Sequence, residues 1–250
     1  MKYFSTKYKN TSDSLYFLNF TKKLNYIVGS KNKLKRFREN DTFGNVYQPS
    51  REEMVGDFAL KGKWNQEVFK NDQPIVLELG CGKGEYTVEL AKRFPEKNFI
   101  GIDIKGARFW RGAKTAVETG LTNVAFLRTQ IELIENAFDL AEVSEIWITF
   151  PDPQIKYKRT KHRLTNSEFL QRYKRILKED GIVNLKTDSE FMHGYTLGLL
   201  HGEGHEVIYA NHHVYKNEGA PSVVTEIQTF YEQQYLDQQK AITYIQFRIK

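Results

Sequence analysis

From residue 75 onward the chain alternates short β-branched and aliphatic runs with longer stretches whose apolar residues recur every three or four positions. The runs IVLEL (75–79), NFIGID (98–103), VAFLRT (124–129), EIWITF (145–150), GIVNLKT (181–187) and HEVIYA (205–210) read as strands. Helical spacing predicts helices over 84–94, 106–120, 131–139, 165–179 and 189–203, and a helix-like stretch over 226–239. Such alternation implies βαβ units, and so a mostly parallel sheet with helices on both faces. The closing AITYIQFRIK (241–250) alternates strictly and follows a helix, which predicts a last strand inserted antiparallel. The pattern therefore gives one α/β domain over 75–250, with seven strands and no internal repeat or low-complexity linker.

Upstream, 31–74 reads as a basic N-terminal arm and lead-in, and 1–30 as a polar, lysine-rich extension. The extension is expected to be mobile, and a true start near Val28 is an option. Asn19 interrupts its short apolar patch, which leaves no adequate signal-peptide core, and no arginine precedes Arg36, against a transit peptide. With 40% hydrophobic and 14% aromatic residues among 250, the chain can bury a full core, and global disorder is excluded. The single cysteine, Cys81, forbids an internal disulfide and fits a reducing, cytoplasmic setting. No apolar run approaches the roughly 20 residues that span a bilayer, so no membrane partner is expected.

The formal charge of +6 is moderate, but it is concentrated. KNKLKRFR (31–38) and KYKRTKHR (156–163) each hold five Lys or Arg and no acid. One such run alone reads as a solvated face. Two, each with an aromatic inside (Phe37, Tyr157), point to phosphate binding.

The first strand runs directly into LGCGKGEY, which puts Gly80, Gly82 and Gly84 at the strand-to-helix turn. Glycines there let the backbone turn sharply and approach a ligand closely. The dinucleotide fingerprint G-x-G-x-x-G would need a glycine at 85, where Glu85 stands. Glu85 at the helix start and Glu78 before the loop disfavour a pyrophosphate and a nicotinamide dehydrogenase. A cationic ligand suits the loop better, and S-adenosylmethionine is the candidate. Asp103, about twenty residues on at the end of the second strand, can accept both hydroxyls of a ribose.

The fourth strand ends in Phe150-Pro151-Asp152-Pro153. It should emerge beside the first strand, where open α/β sheets bind ligands. The two prolines restrict their neighbours and present the Asp152 carboxylate rigidly. The basic run 156–163 follows at once.

Taken together, KNKLKRF, LELGCGKGEYTVELA, GIDIKG, the Phe-Pro-Asp-Pro corner with a lysine four residues past the aspartate, LKTD and TFYE resemble the bacterial tRNA (guanine-N7)-methyltransferases. The resemblance covers residues 31–232, about four-fifths of the chain. It implies a Rossmann-like class I S-adenosylmethionine-dependent methyltransferase acting on guanine 46 of the tRNA variable loop. It further implies cofactor contacts at Glu78, Gly80, Gly82, Asp103, Gln130 and Asp152, with Asp152 also catalytic. Substrate contacts are implied at Lys156, Asp188, Thr229, Phe230, Tyr231 and Glu232. Arg163, with its basic neighbours, is expected on tRNA phosphates. Two positions depart from the family pattern. Gln130 stands where an acid is usual, and its amide can still hydrogen-bond an adenine edge. Gln154 stands where a tryptophan commonly follows the corner.

Other features carry less. Cys81 fills a place that needs a small residue, and no histidine is put near it by sequence. His212 and His213 lack any H-E-x-x-H or cysteine cluster, so no metal is expected. Trp147 reads as core, and Tyr231 and Tyr235 could simply pack on a helix. Two rival functions are an RNA methyltransferase acting on an exocyclic base amine and a non-catalytic RNA-binding subunit. The first usually follows its corner with proline and an aromatic residue, to stack the flipped base, where this chain has PDPQ. The set Glu78, Asp103 and Asp152 argues against the second. Either a monomer or a homodimer is compatible with the sequence.

Overall fold

The computed structural model describes residues 32–56 and 58–250. The expected extension 1–30 lies outside the described residues. The centre of the fold is strand β2 (Ile75–Leu79), buried along its whole length. It pairs in parallel with β3 (Asn98–Ile102) on one side and β5 (Val143–Thr149) on the other. Outward lie β4 (Val124–Leu127), parallel to β3, and β6 (Leu177–Thr187), parallel to β5. β8 (Thr243–Arg248) runs antiparallel between β6 and β7 (Glu206–Asn211), so the last strand alone is reversed. Among the described residues the sheet has eight strands, not the expected seven, in the order β1-β4-β3-β2-β5-β6-β8-β7. The addition, β1 (Val46–Tyr47), has two residues and extends the edge beside β4. A run that short leaves no period to read.

Helices cover both faces because successive strand residues point to opposite sides. Leu77, Ile100, Leu127 and Ile146 join one core, packed by α5 (Ile134–Ala137), α6 (Ser167–Ile176) and α7 (Glu190–Gly202). Val76, Phe99, Phe126 and Trp147 join the other, under α3 (Glu85–Arg93) and α4 (Gly106–Glu118). α8 (Ser222–Glu226) packs there too. Trp147 is core, stacked against Tyr244 with its indole N–H on Glu145. Gly84 and Gly112 let α3 and α4 meet, since a Cβ on Gly112 would come within 2.9 Å of the Gly84 Cα.

Several boundaries moved for local reasons. The stretch 131–139 is a 3₁₀ turn, Ile131–Leu133, followed by the single helical turn of α5. The helix expected to reach 179 stops at Ile176, and β6 starts at once, four residues early. The helix-like stretch 226–239 holds a single helix, α9 (Phe230–Asp237), because α8 ends at Glu226. α9 starts at Thr229, whose hydroxyl accepts from the Glu232 N–H and caps it.

Residues 32–40 form helix α1, and Arg51–Val55 form α2. α1 is tied to α4: Asn40 donates to the Gly106 carbonyl at 2.9 Å, and Trp110 donates to Glu39 at 3.0 Å. α2 starts at a reciprocal cap, with Ser50 and Glu53 each bonding the other's backbone N–H. Trp64, fully buried, donates to the Ala137 carbonyl and stacks on Phe138. The segment from 32 to 74 is therefore packed onto the sheet and reaches the carboxyl ends of β3 and β4.

Candidate active site

The glycine loop is hooked to the end of β3. The Gly80 and Cys81 N–H groups both donate to the Ile102 carbonyl, at 2.8 and 3.0 Å. Gly80, Gly82 and Gly84 all have positive φ, a backbone that side chains resist. The Gly82 N–H donates to one Asp103 oxygen at 3.1 Å, and the Lys105 N–H to the other at 2.8 Å. One donor on each oxygen fixes the carboxylate plane and leaves lone pairs free for ligand hydroxyls. Cys81 is buried, and burial pushes its thiol well up, so it is no thiolate nucleophile.

Glu78 sits below this loop. Its oxygens accept from the Thr87 hydroxyl on α3 and, at 2.6 Å, from the Thr149 hydroxyl at the end of β5. Burial pushes its pKa up to about 7, against the downward pull of the two hydroxyls. Glu78 is therefore held from below by two hydroxyls. Its carboxylate ties β2, α3 and β5 together under the cleft floor and does not line the cleft.

Gly80, Asp103, Gln130 and Asp152 do line one cleft, of about 390 Å³, at the carboxyl ends of the central strands. Ile104, Lys105, Arg108 and Thr129 also line it. Asp152 is exposed, and one of its oxygens accepts from the Gln154 N–H at 3.0 Å. The corner is bracketed by Phe150 and Gln154, both at positive φ, 49° and 47°. Left-handed backbone at two non-glycine residues has to be held by its surroundings.

Arg163 supplies much of that hold. It is 5% exposed, and its guanidinium donates to the Gln154 carbonyl at 3.2 and 3.1 Å and to that of Ile155 at 3.3 Å. The same group lies over the Tyr195 ring at 4.4 Å and the Phe191 ring at 4.8 Å. Arg163 thus staples the basic loop to the corner and α7. Lys156, Lys158, Arg159 and Lys161 stay exposed around the 3₁₀ turn Tyr157–His162.

Residues 72–245 match the model of a family described as "Putative methyltransferase". A protein of Christiangramia forsetii named tRNA (guanine-N(7)-)-methyltransferase is 75% identical over 224 residues, which cover 89% of this chain and 100% of that protein. The chain belongs to the tRNA (guanine-N7)-methyltransferase family. A Bacteroides thetaiotaomicron protein of the same name is 50% identical over 220 residues, 88% of this chain and 86% of its own. Among solved structures, the 16S rRNA methyltransferase KamB superposes with a TM-score of 0.57 at 14% identity, covering 74% of this chain and 92% of that one. That likeness shows the methyltransferase fold alone.

The remaining positions implied by the family stand outside the cleft lining. Asp188 pairs with Lys240 at 3.2 Å and borders a separate cavity with His213 and Lys216. Thr229 caps α9. Phe230 and Tyr231 are 50% and 44% exposed, and the Lys83 ammonium of the glycine loop lies 3.6 Å from the Phe230 ring centre. The Phe230 N–H donates to Glu85 at 3.0 Å. Glu232 is fully buried and ion-paired at 2.7 Å with Lys186, itself fully buried. Lys186 also donates to the Ile227 carbonyl, and Tyr215 donates to Glu232. Burial pushes Lys186 down and Glu232 up, and each is opposed by the other's charge. Thr87, Thr149, Lys186 and Ile104 were missed. Lys186 left only a charged letter inside a strand run, and Thr149 a hydroxyl at a strand end. No group of His, Cys, Asp or Glu suited to a metal ion occurs among the described residues.

Proposed function

We propose that this chain transfers a methyl group from S-adenosylmethionine to N7 of guanine 46 in the tRNA variable loop. One observation carries the reading: the 75% identity to a named tRNA (guanine-N(7)-)-methyltransferase across that protein's whole length. The cleft supports the donor. The Asp103 carboxylate, held by two N–H groups, suits a ribose diol. Ile104, 46% exposed beside it, offers an apolar face to a purine. When bound, S-adenosylmethionine supplies an electrophilic methyl on a positively charged sulfur.

N7 of guanine carries an in-plane lone pair at neutral pH, so no residue has to remove a proton before attack. The task left to the chain is alignment. Asp152, fixed at the corner by its neighbours, orients the guanine through its N–H edge and favours the base as it becomes cationic. Lys156 and the exposed cations of 158–161 hold the surrounding phosphates, with α1 as a second basic surface. Asp188, Thr229, Phe230 and Tyr231 are assigned to the tRNA on the family pattern. A purine edge in A-form RNA lies in a deep, narrow groove, so a target in an irregular loop fits this exposed corner.

The test is methyl transfer from labelled S-adenosylmethionine to an unmodified tRNA transcript, followed by nuclease mapping and mass spectrometry. The expected product is 7-methylguanosine at position 46, lost in Asp152→Ala. A different methylated nucleoside, or the same one elsewhere, overturns the reading. Near-full turnover in Asp152→Asn would remove the electrostatic role.

A further inference from the structure

Gln130 stands where two cavities meet. It lines the cleft with Asp103 and Asp152, and also a smaller cavity of about 210 Å³ with Pro49, Arg51 and Met54. Ile104 lines both, so an amide and an uncovered aliphatic side chain share one wall. The amide is polarised from outside. Arg51, the first residue of α2, donates its Nη1 to the Gln130 Oε1. A guanidinium carries five donors and no acceptor, so only the amide oxygen can face it. The amide NH₂ is the end left for the cleft. The backbone of Arg51 is set in turn by the reciprocal Ser50–Glu53 cap.

We propose that Arg51 is a positioning residue that locks Gln130 as a hydrogen-bond donor. The enzyme then reads the adenine of its methyl donor through a ring-nitrogen acceptor, not through the exocyclic amine. An ionised acid, usual at this place in the family, only accepts and so would read the amine. The exchange of acid for amide reverses the polarity of the contact, and Arg51 stops the amide from turning back. This inference rests on the reading that the cleft takes S-adenosylmethionine.

Calorimetric titration tests it with S-adenosylhomocysteine and its 1-deaza, 3-deaza, 7-deaza and N6-methyl analogues. For the wild-type chain, one deaza analogue should bind about tenfold more weakly than the parent, the loss expected for one missing hydrogen bond. The N6-methyl analogue should stay within about threefold. In Arg51→Met the amide can turn, so the deaza loss should shrink below about threefold while the N6-methyl loss grows. Arg51→Lys keeps a donor and should keep the wild-type pattern. Gln130→Glu, which needs no change in α2, should reverse the pattern outright and covers the case in which Arg51→Met does not fold. Equal binding of all three deaza analogues to the wild type overturns the proposal, as does a deaza loss unchanged in both Arg51→Met and Gln130→Glu. If the wild type binds no S-adenosylhomocysteine, the cofactor reading fails instead.

Discussion

Glu78 keeps a proton that an exposed glutamate would lose. Its pKa is about 7 in the fold against 4.5 for the free side chain. Between those values the unfolded chain releases a proton that the folded chain retains, so stability falls as pH rises from about 4.5 to 7 and then levels off. The full effect is on the order of 3 kcal/mol. Urea unfolding of the wild type and Glu78→Gln at pH 5 and pH 8 checks this. The wild type should lose ground to the variant at the higher pH, and a constant difference would mean that Glu78 is ionised throughout. At this scale the sequence told which residue types were present but not which way they turned. That Gly80, Asp103 and Asp152 share one cleft was legible because strand ends in an open α/β sheet share one edge. The internal partners of Glu78 and Arg163 were not. A carboxylate or guanidinium reads as ligand-seeking until the hydroxyls, carbonyls and rings that occupy it are known.

Among the elements, α9 shows why residue type misled. Its TFYE start presents Phe230 and Tyr231 outward while Glu232 turns into the core and grips Lys186 of β6. Removing one partner leaves a buried charge alone, so Glu232→Leu should destabilise the chain by roughly 3–5 kcal/mol. The double variant Lys186→Met/Glu232→Leu should recover most of that loss, and a double-mutant cycle in denaturant measures it. Additive losses would mean that the pair does not act as a unit. The strands and larger helices of 75–250 were legible because their periods run long enough to count. The segment 32–74 holds short elements, each fixed by a cap or a tertiary contact. The Ser50-x-x-Glu53 spacing is the one signal there that periodicity reading passed over.

Across the whole molecule the net charge of +6 is less telling than where the free cations stand. Lys156, Lys158, Arg159 and Lys161 are exposed beside the cleft mouth, whereas Arg163 is committed to carbonyls and rings. Lys158→Ala with Lys161→Ala should therefore reduce the salt slope of tRNA binding by roughly 0.7 to 0.9 per lost contact. Arg163→Ala should leave the slope nearly unchanged and lower turnover, because it frees the corner that carries Asp152. Filter binding across a salt series, run beside the methylation assay, separates the two. Equal slope changes for all three residues would return Arg163 to the phosphate surface.

Glu85 was read first as a bar to pyrophosphate, yet in the fold its carboxylate receives the first N–H of α9. One side chain thus stands at the start of α3 and also holds the start of the Phe230–Tyr231 helix. An engineer who installed glycine at 85 to convert the loop to a dinucleotide site would also unmoor that helix. Retooling the ligand and keeping the neighbouring surface are, at this residue, incompatible aims.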